Sequence, residues 1–497
     1  MSKRLRIIIL AAVALVVLVA AVLALKFWPE KKDGDTTSSS ITSSESLDNM
    51  MGYINVFDYK EDQVRDVVVE NKLGGFTLNY VKKDEWKLKG AEKFALNKSA
   101  IDTLVASCIE FPATKEIAEN PEDLSVYGIS EQGTVANINY STGEKLTLMI
   151  GNNTASQSTY VYLKQNDKVY LVDIGWSDPF EIKDSAYLDL SISDGVATDE
   201  DGNDIDPHVT KVSYSGKGLE NPIIIEENPE YVAELDKIEA GEDVSATTAP
   251  SQFMFTSPMV AAISDDNYVG KQNDYFGITA LDVYELYPTA ADKAKCGLSN
   301  PYVTIEVKAT KRNLKIFLGN SFTVDGIECY YAMSNERSPI FIVDAEDFTF
   351  FKEDLIGYMS SIVVNVVIDD IDTLTIESKG ETYAFETTGD GDDLVVRWKG
   401  KKMSTAEYRD LYQLIMLAYC EESVKPGEYS GAADLKITYT YREREKVDVL
   451  EYVKVAPRKY LVRLNGSDLA LCRSTYVDTL VYGLEAFVNG KDVPSDY

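Results

Sequence analysis

The N-terminal part of the chain is dominated by one apolar segment. Residues 7–25 are nineteen consecutive Ile, Leu, Val and Ala residues, and a helix rising about 1.5 Å per residue would span the roughly 30 Å hydrocarbon layer of a membrane. Basic residues in the tail, residues 1–6, favour a cytoplasmic N-terminus. A cleaved signal peptide is the alternative, but Lys26-Phe27-Trp28 offers no small-residue cleavage site. The sequence predicts an uncleaved, single-pass plasma-membrane helix with the bulk of the chain extracytoplasmic.

The segment after this apolar run is polar. Residues 26–50 include the tract GDTTSSSITSSES at positions 34–46. Such a Ser/Thr-rich composition cannot bury a core and is typical of a flexible tether. The folded part of the chain is therefore expected to begin near residue 51.

Beyond the tether, apolar and polar residues alternate, and the pattern recurs. Asp123–Ser130 and Asp292–Ser299 both read Asp, four residues, Gly, an aliphatic residue and Ser. From that glycine it is 23 residues to Gly151-Asn152 and 22 residues to Gly319-Asn320. The alternation predicts antiparallel strands joined by tight turns. The Gly-Asn pairs are interpreted as turns that need a positive φ.

Helical spacing interrupts the strand pattern at regular places. Between Asn97 and about Glu110 the apolar residues Ile101, Leu104, Val105 and Cys108 fall on one helix face. A capping-box pattern at 404–407 opens a second such helix, whereas residues 238–255 look irregular. The sequence predicts an α+β fold of three related β-rich units, 51–195, 196–362 and 363–497, each a hairpin, an amphipathic helix, an antiparallel meander and a short closing helix.

These motifs resemble a known family. Trp86 after a hairpin, the run Asn120–Ile129, Ile-Gly-Asn at 150–152 and Val-Tyr-Leu-Val at 169–172 are similar to the bacterial family of domain-of-unknown-function 4340 (DUF4340). The resemblance covers residues 64–190 and, less closely, 285–360, and it lacks the proline that often follows the position of Ile129. It implies a membrane-anchored envelope protein that accompanies a gliding-motility-type ABC transporter, without established catalytic residues.

The charge of the chain restricts its partners. Lysine and arginine total 49 and aspartate and glutamate 81, so the net charge is −32. The few basic residues near the N-terminus make the remainder still more acidic. A body of this charge repels phosphate backbones and anionic lipid head groups. Nucleic-acid binding and membrane binding through basic patches are therefore not expected.

The residues needed for common catalytic sites are scarce. His208 is the only histidine, so histidine-based triads and multi-histidine metal sites cannot be assembled from this chain alone. The five cysteines form no Cys-x-x-Cys pair and are interpreted as buried thiols. We expect no enzyme, no catalytic residues and no cofactor. A hydrolase using two carboxylates is the remaining enzymatic alternative, because 81 acidic residues supply many pairs.

One acidic segment is a candidate metal site. Its carboxylates and amide can surround a hard cation such as Ca²⁺ with oxygen ligands. The spacing does not follow an EF-hand, because Asp204 replaces the glycine at position six and Thr210 the glutamate at position twelve. An acidic loop connecting two units is the alternative. The candidate ligands are Asp199, Asp201, Asn203, Asp204 and Asp206.

The functional expectation follows from the anchor, the repeated units and the family resemblance. We expect a membrane-anchored extracytoplasmic, non-catalytic protein that serves as an accessory or scaffold of an ABC-type transport or envelope complex, with permease and ATPase subunits as partners. The alternative is a cell-surface glycan- or peptide-binding module. Tyrosines at Tyr160/Tyr162 and Tyr330/Tyr331 would suit such binding, although in alternating strands they are more often cross-strand packing pairs.

Overall fold

A computed structural model of the protein describes residues 53–241, 250–416, 420–442 and 445–494. The predicted cytoplasmic tail at 1–6, membrane helix at 7–25 and tether at 26–50 all lie outside these residues. Among the helices inside the described ranges, none is both long enough and apolar enough to cross a membrane.

The described residues form a β-rich fold with helices at its margins. Twenty-eight strands make three large antiparallel sheets and one two-stranded sheet. Helices connect or cover the sheets rather than alternating with parallel strands, so the predicted α+β class is confirmed.

The first sheet has eight strands in the order β4-β3-β2-β7-β8-β9-β10-β6, and β1 pairs with β5 beside it. Its helices are α1 (Lys98–Ile109) and α2 (Ile174–Ser177). Its strands are β1 (Ile54–Asp58), β2 (Val64–Glu70), β3 (Phe76–Lys82), β4 (Glu85–Leu88), β5 (Glu110–Ala113), β6 (Lys115–Glu119), β7 (Thr134–Tyr140), β8 (Lys145–Asn153), β9 (Ser158–Leu163) and β10 (Lys168–Asp173).

The second sheet has nine strands in the order β14-β13-β12-β11-β16-β17-β18-β19-β15. Its helices are α3 (Pro229–Glu239), α4 (Asp265–Tyr268) and α5 (Ala290–Lys295). Its strands are β11 (Val209–Ser215), β12 (Ile223–Glu227), β13 (Phe253–Ser257), β14 (Ala261–Ala262), β15 (Asp282–Glu285), β16 (Val303–Ala309), β17 (Arg312–Val324), β18 (Ile327–Ser334) and β19 (Ile340–Asp344).

The third sheet also has nine strands, in the order β23-β22-β21-β20-β25-β26-β27-β28-β24. Its helices are α6 (Thr405–Met416) and α7 (Ser474–Val488). Its strands are β20 (Ile371–Ser378), β21 (Glu381–Thr388), β22 (Val395–Trp398), β23 (Lys401–Lys402), β24 (Glu422–Ser423), β25 (Leu435–Tyr441), β26 (Val447–Ala456), β27 (Lys459–Leu464) and β28 (Ser467–Arg473).

The three strand orders correspond. In each large sheet the first strand lies at the centre, next to the first strand of a four-stranded meander. A strand preceding the meander pairs with the meander's last strand. The second sheet differs in the position of its longest helix along the chain. The first and third sheets place α1 and α6 after the opening strands, whereas α3 lies inside the opening strands, between β12 and β13.

Helix α1 shows why the local pattern was readable from the sequence. Asn97 caps its N-terminus by accepting a hydrogen bond from the Ala100 backbone. Ile101, Leu104 and Cys108 are buried on one face of the helix, as their spacing predicted.

The three large sheets do not each have a separate hydrophobic core. The first sheet has its own core, in which Trp86, Phe111 and Tyr187 are buried. The second and third sheets share one continuous core, from Ile192 to Val493, that passes through Val364 and Val366 in the connection between them. The second and third sheets are therefore packed as one body.

The Gly-Asn pairs correct one expectation. Gly151 and Gly319 lie inside β8 and β17 at register shifts of the strand pairing, and neither has a positive φ. A Cβ at Gly151 would lie 2.4 Å from the Tyr127 carbonyl oxygen, and one at Gly319 would lie 2.1 Å from that of Cys296. The turn interpretation was wrong, because these glycines are needed for close backbone approach.

Candidate functional site

The predicted acidic segment forms a tight hairpin. The carboxylate of Asp199 accepts hydrogen bonds from the backbone amides of Asp201 at 3.0 Å and Asn203 at 2.8 Å, and the Asn203 side chain donates to it at 3.1 Å. The Asn203 amide is the main reason that the pKa of Asp199 is lowered from its usual value. The Asp199 carboxylate is therefore occupied by the hairpin that it stabilises.

Among the other candidate ligands, Asp206 also accepts a local backbone hydrogen bond. Asp206 accepts a hydrogen bond from the His208 amide at 2.9 Å, and Asp204 is exposed. In the part of the chain that the structure describes, no group of three or more His, Cys, Asp or Glu residues is arranged to hold a metal ion. The calcium site at Asp199, Asp201, Asn203, Asp204 and Asp206 stays a prediction.

The structure does bring polar residues together at another place, between the second and third sheets. Here the start of α3, the edge of the second sheet, the connection at residues 360–366 and the turns before β26 and after β27 line a cleft of about 140 Å³, which we call the inter-sheet cleft. Its apolar wall includes Met254, Val260, Ile362, Val363, Val366 and Leu464. Its polar residues include Asn228, Glu230, Asn365, Lys446, Asp448 and Asn465.

Lys446 is the central charge of the inter-sheet cleft. Its Nζ lies 2.6 Å from Oε1 of Glu230 and 3.4 Å from Oδ1 of Asp448. Partial burial lowers the pKa of Lys446, but the hydrogen bond to Glu230 and the charge of Asp448 outweigh that effect, so the pKa is raised. Lys446 is therefore a cation at neutral pH and not a nucleophile.

Asp448 is the most buried charge in the inter-sheet cleft, with 5% of its surface exposed. Its Oδ2 accepts a hydrogen bond from the Tyr441 hydroxyl at 2.6 Å, and its Oδ1 accepts one from the Asn465 side chain at 2.8 Å. A buried carboxylate with several donors holds its neighbours in fixed positions. The inter-sheet cleft thus presents a fixed ammonium, carboxylates and amides beside an apolar wall, which suits binding of a small polar group.

Sequence reasoning did not find this site. Glu230 and Lys446 are 216 positions apart and meet only because the second and third sheets pack together. Neither residue belongs to a motif, so no local signal marked them. The helical spacing of Tyr231, Leu235 and Ile238, after an Asn-Pro start, was a readable signal for α3.

The other residues considered from the sequence have structural contacts. The Tyr162 hydroxyl donates to Asp167 at 2.8 Å, Tyr330 is only 2% exposed, and Tyr331 stacks on Phe322 with ring centroids 4.3 Å apart. Tyr127 and Tyr160 also pack on each other, at 5.3 Å. All five cysteines are free thiols, and four of them are buried.

Comparison with known proteins gives one match. Residues 86–194 match the family model described as domain of unknown function DUF4340. This confirms the resemblance seen in the Trp86 and Asn120–Ile129 motifs. No curated protein and no solved structure matches the chain.

Proposed function

We propose that this chain, which carries a DUF4340 domain over residues 86–194, is a membrane-anchored extracytoplasmic protein without catalytic activity. In this proposal it acts as an accessory or scaffold component of an ABC-type transport or envelope complex. The observation that carries the scaffold role is the core shared by the second and third sheets. A shared core fixes the relative positions of the surfaces that a scaffold presents to its partners.

A further support is the correspondence between the three sheets. Their strand orders match, and the sequence intervals from Gly128 to Gly151 and from Gly297 to Gly319 match to within one residue. We propose that the three sheets are copies of one unit. A repeated unit offers related surfaces at several points, which suits assembly with more than one subunit. The transporter partner itself is proposed from the family resemblance alone.

The inter-sheet cleft favours a second candidate function, the binding of a peptide or glycan through one small polar group that enters the cleft of about 140 Å³. Lys446, Glu230 and Asp448 offer charge-assisted hydrogen bonds, and the adjoining apolar wall would contact the rest of the ligand. Sites with a few convergent polar groups beside apolar surface are typical of ligand recognition.

The proposals are tested with the full-length protein purified from native membranes in mild detergent. Mass spectrometry of the co-purified proteins is expected to identify an ABC permease and ATPase that are missing from an untagged control. Recovery of the chain alone would refute the accessory role. Peptide and glycan arrays probed with the same preparation test the second candidate, and binding that Lys446→Gln abolishes would support it.

A further inference from the structure

Helix α3 lies in a connection that is much longer in the second sheet than in the other two. Only residues 83–84 join β3 to β4 in the first sheet, and residues 389–394 join β21 to β22 in the third. The equivalent connection between β12 and β13 spans residues 228–252 and contains α3. The helix has its own start signals, because the Asn228 side chain accepts a hydrogen bond from the Glu230 amide at 3.1 Å and Pro229 occupies the first turn.

Most of the apolar face of α3 is exposed to solvent, although Tyr231 near its start is half-buried. Tyr231, Leu235 and Ile238 follow the i, i+4, i+7 spacing of a single helix face, and Val232 lies next to them. Leu235 is 37% exposed and Ile238 is 54% exposed, and α3 has no buried residue. Helix α1, by contrast, buries five residues in 12. An amphipathic face left uncovered in this way is typical of an interaction site.

The position of α3 is fixed at its base. Glu230 in its first turn forms the 2.6 Å ion pair with Lys446 of the third sheet, and Asn228 is 9% exposed at the edge of the inter-sheet cleft. The helix is therefore presented on the shared body of the second and third sheets. A preorganised helix loses less conformational entropy when it binds a partner.

The charges beside the apolar face indicate which kind of binding partner fits it. At about 100° per residue, Glu234 lies on one side of the face and Glu239 on the other, while Lys237 lies on the far side of the helix. A second copy would place carboxylates against carboxylates. A membrane surface is also unfavourable, because helices that lie on anionic lipid carry lysine and arginine on their polar face. Charge complementarity favours a protein with basic residues around an apolar surface.

We propose that α3 docks on a partner protein, and that the partner presents an apolar groove or helix bordered by lysine and arginine. The proposal rests on the scaffold role above and gives the chemistry of one partner surface. Leu235 and Ile238 enter the apolar surface, and Glu234 and Glu239 pair with the basic border.

The test uses the full-length protein in native membranes. Benzoylphenylalanine replaces Val232, which is 38% exposed, and the cross-linked peptide is sequenced by mass spectrometry after irradiation. The expected product joins α3 to an apolar segment of another protein flanked by lysine or arginine. The double variant Leu235→Gln/Ile238→Gln removes interface anchors, and the double variant Glu234→Lys/Glu239→Lys removes complementary charges. Each should reduce the yield about tenfold.

A matched control exists on the same sheet. Val324 and Ile327 are 42% and 44% exposed at the β17–β18 hairpin, and the variant Val324→Gln/Ile327→Gln should leave the yield unchanged. Cross-links to a second copy, to residues 1–52, to lipid only or to nothing would overturn the proposal. Co-purification of an ABC permease together with any of these outcomes would refute the docking of α3 while leaving the accessory role intact.

Discussion

A methyl group at Gly319 should destabilise the second sheet. The Cβ of an alanine at position 319 would lie 2.1 Å from the Cys296 carbonyl oxygen. Neighbouring atoms must shift when such a distance is below 3.0 Å, and this one is 0.9 Å shorter. The obstacle is backbone and cannot rotate away. The same carbonyl accepts a hydrogen bond from the Asn320 amide at 2.8 Å, so its displacement also weakens that bond.

The expected cost follows from these two effects. Overpacking in a closely packed region costs about 1–3 kcal/mol, and a weakened backbone hydrogen bond adds up to about 1 kcal/mol. We expect Gly319→Ala to lower the free energy of unfolding by about 2–3 kcal/mol. The shared body runs from Ile192 to Val493, about 300 residues. At about 2.1 cal/mol/K of unfolding entropy per residue, its midpoint of thermal unfolding falls by about 1.6 °C per kcal/mol, which gives a decrease of about 3–5 °C.

The measurement is thermal unfolding of the full-length protein in mild detergent, followed by circular dichroism. Gly357→Ala is the control, because a Cβ at Gly357 has no neighbour within 4 Å and its φ is not positive. Gly151→Ala should behave like Gly319→Ala, with a smaller effect since its contact is 2.4 Å. Equal midpoints for Gly319→Ala and Gly357→Ala would refute the close-approach explanation.

Three further predictions concern other contacts. Asp448→Ala removes the acceptor of two side-chain hydrogen bonds and should lower the free energy of urea unfolding by about 2–3 kcal/mol. Burial opposes ionisation of Asp282, but hydrogen bonds from Ser185 and Lys183 outweigh it and lower its pKa. The resulting stabilisation is present above the usual pKa of about 4 and is lost as the pH falls through the lowered value. The midpoints of thermal unfolding of wild type and Asp282→Asn should therefore differ less in acid than at neutral pH. Burial raises the pKa of Cys472, which is 2% exposed, to about 12, so this native thiol should not react with DTNB at neutral pH, whereas all five thiols react in guanidinium.

Each of these predictions has a result that would contradict it. Asp448→Asn keeps an acceptor oxygen and should lose less stability than Asp448→Ala, so an equal loss would show that the hydrogen bonds contribute little. A pH-independent difference between wild type and Asp282→Asn would remove the proposed ionic contribution. Rapid labelling of Cys472 in the native protein, identified by peptide mapping, would contradict its burial.

The elements predictable from sequence are those with a local cause. Helix α1 follows from its cap at Asn97 and its apolar face, and the β8 and β17 strands follow from alternation. Gly319 was misinterpreted because a glycine needed for a positive φ and one needed for close approach look alike in sequence. The contact with Cys296 exists only once the chain has folded.

The candidate site depends on contacts that no local pattern carries. Lys446 reads as an ordinary surface lysine until the packing of two sheets places Glu230 beside it. Asp448 lies on an alternating strand, where a charge normally faces solvent, but the third sheet turns that face toward the inter-sheet cleft. The site is therefore formed by long-range packing, and the periodicity of the sequence does not predict it.

The shared core has a consequence for the order in which the chain folds as it is synthesised and exported. The first sheet can bury its core once residues up to about 190 have emerged. The second sheet ends at Asp344, yet its core is continuous with residues as far as Val493. At about 5–20 residues per second, the nascent second sheet waits roughly 7–30 s for the rest of its core. During that interval its apolar surface is uncovered, so the second sheet is open to aggregation for longer than the first.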